Sequence, residues 1–143
     1  MADENYYRPF PGRERLVHIF DSDPTTCEAL SVLFRLEGFH TTFSVDSPSF
    51  FAGIERRRPD VVLVNMKLGP EGGLAVLRRY KAMRTGTPVF MLEDEPDVDA
   101  AVEAMRAGAT GVVTKPIDTD ALMRSVVVAL DKDVQLGPSE GGR

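Results

Sequence analysis

Val61-Val62-Leu63-Val64 is an unbroken apolar run that stops at the polar Asn65 and a loop rich in Gly and Pro, Met66 through Gly73. Three of its four residues are β-branched. A run this short, without alternation, reads as a strand buried on both faces, and such strands need a helix layer above and another below. In open α/β sheets, ligands and chemistry sit just beyond the carboxyl ends of the strands. Asn65 therefore stands where a functional side chain is expected. An Asn there also suits a plain strand end that starts a turn.

The same grammar recurs along the chain. Leu16-Val17-His18-Ile19-Phe20 reads as the first buried strand and ends at Asp21-Ser22-Asp23-Pro24. Asp23 has the character of an N-cap with Pro24 at the first helical position, which leaves Asp21 free to point into a site. The helix from about Pro24 to Glu37 carries Cys27, Leu30, Val32, Leu33, Phe34 and Leu36 and is closed by Gly38. His40 through Val45 alternates in the manner of an edge strand. Asp46-Ser47-Pro48 opens a second helix with Phe50, Phe51 and Ile54 as its apolar stripe.

After the central strand, Gly72 and Gly73 lead into a third helix, with Leu74 and Leu77 facing inward and Arg78, Arg79 and Lys81 facing water. Pro88 through Leu92 is a fourth buried strand. Glu93 through Asp99 holds five acids in seven residues, a composition that suits the positive end of a helix with Pro96 at its first position. Val98, Ala101, Val102 and Met105 follow at helical spacing, up to Gly108. Gly111 through Thr114 is a short fifth strand before Lys115-Pro116, and a last helix runs from about Asp118 to Leu130.

Five strands alternating with five helices through short connections make a doubly wound parallel sheet. The edge-like second strand favours the flavodoxin-like order 2-1-3-4-5. That layout brings Asp21, Ser22, Asn65, Glu93 and Lys115 to one end of the sheet. The ordered domain is expected over residues 15–131. Residues 1–14 read as a flexible arm in which Tyr6, Tyr7 and Phe10 offer docking groups, and residues 132–143 as a linker.

Composition narrows the function. At 143 residues and 43% hydrophobic the chain suits one soluble domain, and no apolar run approaches the roughly 20 residues of a membrane span. The acidic start, Met1-Ala2-Asp3-Glu4, is unlike a secretory signal. Cys27, the single cysteine, has no internal partner and is expected to be a buried thiol. The cytoplasm is the expected location. A net charge of −5 gives no reason for this segment to hold nucleic acid. Arg56-Arg57-Arg58 reads as a solvated helix end rather than a binding patch. No Cys or His cluster has metal-ligand spacing.

The set Asp21, Asn65, Glu93 and Lys115-Pro116 resembles, in order and spacing, the site of the bacterial response-regulator receiver domain, the CheY-like fold. The resemblance covers roughly residues 16–131. It rests on Val17-His18-Ile19-Phe20-Asp21, Pro88 through Leu92, Ala101 through Ala109 and Lys115-Pro116. The stretch Ala101–Ala109 is similar to receivers of the FixJ/NarL type, which sit in front of a helix-turn-helix DNA-binding domain.

The family implies a phosphoryl group accepted by an aspartate after strand three. It also implies two adjacent acids holding Mg²⁺, a Thr or Ser after strand four, an aromatic switch residue in strand five, and a Lys before a cis-proline. On that resemblance the acceptor position is Asn65, the second acid is Ser22, the hydroxyl position is Glu93 and the aromatic position is Val112. Asp21, Lys115 and Pro116 keep the pattern, and Asp23 is a weak stand-in because it is committed to capping. A carboxamide cannot form an acyl phosphate. Asp21 alone is a weak candidate ligand, so no metal and no other cofactor is expected. Glu93 is expected to reach Lys115 as an ion pair.

The expected function is a degenerate, phosphorylation-independent receiver, not an enzyme, that controls a transcriptional output domain through protein contacts. DNA is reached only through a further domain, and no membrane is involved. Partners are a histidine kinase, the output domain or a second copy. They meet the face of helix four, strand five and helix five, where Val102, Met105, Met123 and Val127 stay partly exposed while Leu122, Val126 and Leu130 point inward. Two alternatives stand beside it: a conventional Mg²⁺-dependent phosphoacceptor that uses Asp21 or Glu93, and a flavodoxin-like small-ligand binder.

Overall fold

The computed structural model describes residues 14–70 and 72–135. Its elements, in chain order, are β1 (Leu16–Phe20), α1 (Pro24–Leu36), β2 (His40–Ser44), α2 (Ser47–Arg56) and β3 (Val61–Asn65). They continue with α3 (Gly73–Ala82), β4 (Val89–Glu93), α4 (Val98–Arg106), β5 (Gly111–Thr114) and α5 (Thr119–Gln135). All strand pairings are parallel, and the sheet order is β2-β1-β3-β4-β5. The fold class and strand order are those expected.

Every residue of β1, β3 and β4 is buried, because each strand has a neighbour on both sides and helices on both faces. The two-residue period of a strand divides these side chains between two cores. Val17, Ile19, Leu63 and Phe90 pack on Cys27, Leu30 and Phe34 of α1 and on Leu122, Val126 and Leu130 of α5. Phe20, Val62, Val64 and Met91 pack on Phe50 and Ile54 of α2, Leu77 and Tyr80 of α3, and Ala104 of α4. β2 is exposed along most of its length, as an edge strand should be.

The helix starts follow the sequence. Asp23 caps α1 by accepting from the Thr25 amide, and Asp46 caps α2 by accepting from the Ser49 amide. Several expectations need correction. Pro96 does not occupy the first position of α4, because Asp97 is the cap, accepting from the Ala100 amide, and only Asp99 lies in the first turn. On α4 Ala104 makes the buried contact; Val102 and Met105 are 43% and 50% exposed, as expected of them, whereas Val98, which shares their helical spacing, is 76% exposed. The same holds for Val32 and Leu36 of α1, which are exposed.

Lys81 does not simply face water. Its stem lies against Gly108, its Nζ donates to the Thr87 carbonyl at 3.2 Å, and burial lowers its pKa. α5 runs on to Gln135, past both the expected end at Leu130 and the domain boundary drawn at 131. The remainder of the expected linker, and the arm with Tyr6, Tyr7 and Phe10, lie outside the described residues. Glu14, the last residue of that arm, faces His40 at 3.2 Å.

Candidate functional site

The carboxyl ends of β1, β3, β4 and β5 bring Asp21, Asn65, Glu93 and Lys115 together, as the strand order requires. Asp21 follows β1 directly and is 2% exposed. Its Oδ1 accepts from the Asp23 amide at 2.9 Å, and its Oδ2 lies 3.5 Å from Lys115 Nζ. Ser22 and Asp23 turn outward into solvent. Asp23 is wholly engaged in capping, through the Thr25 amide at 3.0 Å and the Thr26 hydroxyl at 3.1 Å.

Asn65 ends β3 and is buried. Its Nδ2 donates to the Lys67 carbonyl at 3.0 Å, whereas its Oδ1 is buried and has no hydrogen-bond partner among the described residues. The loop after it turns back sharply. The Gly73 amide donates to the Met66 carbonyl at 2.7 Å, and a Cβ on Gly73 would lie 2.3 Å from the Asn65 carbonyl oxygen. Only glycine fits so close an approach.

Glu93 does not pair with Lys115 as expected. In the β4–β5 ladder Glu93 is opposite Thr114, and Thr114 Oγ1 donates to Glu93 Oε2 at 2.6 Å. The reason is the pleat: residues directly opposite share a face of the sheet, and the next residue along points to the other. Lys115, one place further on, reaches Asp94 Oδ1 at 3.0 Å and Asp21 Oδ2 at 3.5 Å instead. Glu93 Oε1 is buried and without a partner among the described residues.

Asp94 is the site residue that the sequence reading missed. It lies in the acidic run assigned to a helix start, and its position next to the end of β4 was the available signal. Burial pulls the Lys115 ammonium down, but the hydrogen bond it donates to Asp94 and the charge of Asp21 outweigh it, and the pKa stands above the ordinary lysine value. The Lys115-Pro116 bond is cis, as the resemblance implied. Val112 is half-buried opposite Met91 and packs on the core beneath α4.

Toward a divalent cation this end of the sheet presents two buried carboxylates, Asp21 and Glu93, and one amide oxygen, Asn65 Oδ1, but an ammonium already lies beside Asp21 and Glu93 is bonded to Thr114. Mg²⁺ is held by several charged or well-placed oxygens, and this donor set fits it poorly. Beside the cluster opens a cavity of about 550 Å³ lined by Phe20, Ser22, Val45, Asp46, Leu68 and Pro70.

α4 and α5 pack on opposite faces of the sheet at its β5 edge. Leu122, Val126 and Leu130 are buried as expected, and Met123 and Val127 are half-exposed. Val128, 54% exposed, adds apolar surface that the sequence reading did not single out.

Comparison with known proteins agrees with this geometry. The profile of the response regulator receiver domain matches residues 17–127. The chain is 31% identical over 133 residues to the probable transcriptional regulatory protein TcrX of Mycobacterium tuberculosis, covering 87% of this chain and 57% of the relative. It is also 31% identical over 121 residues to the DNA-binding response regulator MtrA of Mycolicibacterium smegmatis, covering 85% of this chain and 52% of the relative. The chain thus spans little more than half the length of either. Among solved structures, a CheY-like receiver domain protein from Methanospirillum hungatei superimposes with a TM-score of 0.82 at 21% identity, over 87% of this chain and 100% of that one. Family profile, strand order and the lysine–cis-proline at the end of β5 agree: the chain belongs to the response regulator receiver domain family.

Proposed function

We propose that this receiver domain signals without accepting a phosphoryl group, through protein contacts that control a transcriptional output domain. The observation that carries the reading is Asn65. A carboxamide stands at the end of β3, anchored by its Nδ2 to the Lys67 carbonyl, where a phosphoacceptor needs a free carboxylate. Glu93 and Lys115 supply the rest. The carboxylate of Glu93 occupies the place of the mobile hydroxyl and is tied to β5, and Lys115 is held between Asp21 and Asp94. A switch built this way rests in one state.

On this reading the domain is no enzyme and uses no Mg²⁺, and its place of action is the cytoplasm. The names of TcrX and MtrA support a transcriptional output, and the likeness of Ala101–Ala109 to FixJ/NarL receivers suggests a helix-turn-helix. DNA is then reached only through that further domain. A histidine kinase, the output domain or a second copy meets the apolar surface of α4, β5 and α5. Use of Asp21 or Glu93 as an alternative acceptor is disfavoured, because both are buried and each already accepts a hydrogen bond.

Incubation with acetyl phosphate and Mg²⁺ tests the proposal. The intact mass should not change. A stable gain of one phosphoryl group that maps to Asn65, Asp21 or Glu93 would overturn it. The cavity beside Ser22 favours one second reading, a small apolar ligand in place of phosphate as the input, which a thermal-shift screen would reveal.

A further inference from the structure

β2 is a free edge of the sheet, paired with β1 on one side only. Its ladder turns alternate backbone groups away from that partner. The His40 amide donates to the Arg15 carbonyl at 2.8 Å, and the Ser44 carbonyl accepts from the Asp21 amide at 3.3 Å. Residues 40, 42 and 44 therefore aim their backbone at β1, and Thr41 and Phe43 aim theirs outward. Such an edge is a template for a further strand, and proteins usually blunt it with lysine, proline or a bulge. His40-Thr41-Thr42-Phe43-Ser44 holds no lysine and no proline, and its register with β1 is unbroken. Its threonines and phenylalanine favour extended backbone.

Arginines flank this edge on both faces. The His18 ring packs on Phe50 of α2 and bonds to the side chains of Thr42 and Ser44, so these lie on the α2 face. Thr41 and Phe43 lie on the α1 face. There Arg35, from the last turn of α1, donates to the Thr41 hydroxyl at 3.2 Å, and Phe43 is 43% exposed. On the α2 face stand Arg56, from the last turn of α2, and Arg57, its C-cap. The three arginines line one hollow of about 540 Å³ that wraps around the strand edge, and no described acid lines it. All three are exposed, and none is paired with a carboxylate among the described residues. Its own dipole explains a basic residue at the end of either helix, but not why two helices on opposite faces bring theirs to one strand edge.

We propose that the β2 edge takes an extended acidic segment of a partner protein as a sixth strand beside the five of the sheet. A strand laid there turns successive side chains to opposite faces. Two adjacent acids then meet Arg35 on one face and Arg56 with Arg57 on the other. The residue two places from the acid over Arg35 shares its face and lies beside Phe43, so it is apolar. The expected motif is two adjacent acids with an apolar residue next to them, before or after according to strand direction. Backbone bonds to Thr41 and Phe43 supply affinity, and the arginines select the sequence. A second copy that paired β2 with β2 would bring three more arginines to the same junction, and like charges exclude it. The site lies at the opposite edge of the sheet from β5 and leaves the surface of α4, β5 and α5 to its own partner.

Isothermal titration of the full chain with the peptide acetyl-Thr-Val-Glu-Glu-Val-Thr-amide, which carries the motif in both directions, tests this. Binding should be saturable. Replacing both glutamates of the peptide by glutamine should weaken it by about tenfold or more. N-methylation of both glutamate amides should abolish it, since one of any two adjacent amides must face β2. Arg35→Gln and Arg56→Gln/Arg57→Gln should each weaken it by about threefold or more, and Arg124→Gln on α5 should leave it unchanged. Hydrogen exchange should slow on binding at the amides of Thr41 and Phe43, which a contact through charge alone would not protect. Absence of saturable binding, equal binding of the glutamine peptide, affinity unaffected by the arginine variants, or unchanged exchange at Thr41 and Phe43 would each overturn the proposal. Full binding of the N-methylated peptide would replace the added strand by a mere charge contact. Saturable binding of single-stranded oligothymidine but not of the peptide would overturn it in favour of a nucleic acid.

Discussion

Thr114 donates a 2.6 Å hydrogen bond to Glu93 across the β4–β5 ladder, a side-chain tie between the ends of the two strands beside the backbone bond from the Lys115 amide to the Glu93 carbonyl. The side-chain bond is charge-assisted and largely buried, so its loss leaves a carboxylate oxygen without a partner. Thr114→Val should therefore destabilise the domain by about 1–3 kcal/mol in urea denaturation. Glu93→Gln/Thr114→Val should cost less than the sum of the single changes. A neutral Thr114→Val would mean that the bond does not hold the strands.

Restoring carboxylates should restore metal affinity. Ser22→Asp together with Asn65→Asp adds two acids beside Asp21, the charge that Mg²⁺ needs. Titration calorimetry should show saturable Mg²⁺ binding in the double variant and little in the wild type. Phosphorylation should need Glu93→Thr as well, since the glutamate puts a negative charge where the phosphoryl group must sit. A triple variant with wild-type metal affinity would show that these positions do not converge.

Gly73 has no room for a side chain. Because its Cβ would lie 2.3 Å from the Asn65 carbonyl oxygen and 2.8 Å from Met66 Cα, Gly73→Ala must move backbone. The expected loss is about 3 kcal/mol, the upper end for overpacking. Gly86→Ala, with nothing within 4 Å but a φ of +76°, should cost less, about 1 kcal/mol. Thermal unfolding that ranks them in the opposite order would contradict the loop geometry.

His18 makes stability depend on pH. Burial lowers its pKa from 6.5 to about 4, so the unfolded chain takes up a proton on this residue before the folded one does. Its contribution is fully present above pH 6.5 and is lost as pH falls toward 4, by about 3 kcal/mol over the interval. The difference between wild type and His18→Gln in urea unfolding should shrink by that order across the window. A difference independent of pH would place a proton on the folded imidazole.

Self-association through α4 and α5 is testable without phosphate. Met105, 50% exposed, is a safer site for a charge than half-buried Val127. Light scattering at several concentrations should find dimers in the wild type and monomers in Met105→Glu. A monomer at every concentration, with or without the substitution, would remove the homodimer and leave the face to a different partner.

The sequence by itself determined the strands, the caps of α1 and α2 and the order of the sheet, because these follow from local rules. Apolar runs buried on both faces, Asp23 with Pro24, Asp46 with Pro48 and the alternation in His40–Val45 are each legible within a few residues. Asp21, Asn65 and Lys115 were legible as site residues because strand ends in a doubly wound sheet converge whatever the side chains are. Tertiary structure alone decided the pairing within the site. Whether Glu93 meets Lys115 or Thr114 depends on the register of β4 against β5, which joins residues far apart in sequence. The outward turn of Val98 depended on how α4 is rotated over the sheet, and helical spacing is silent on that.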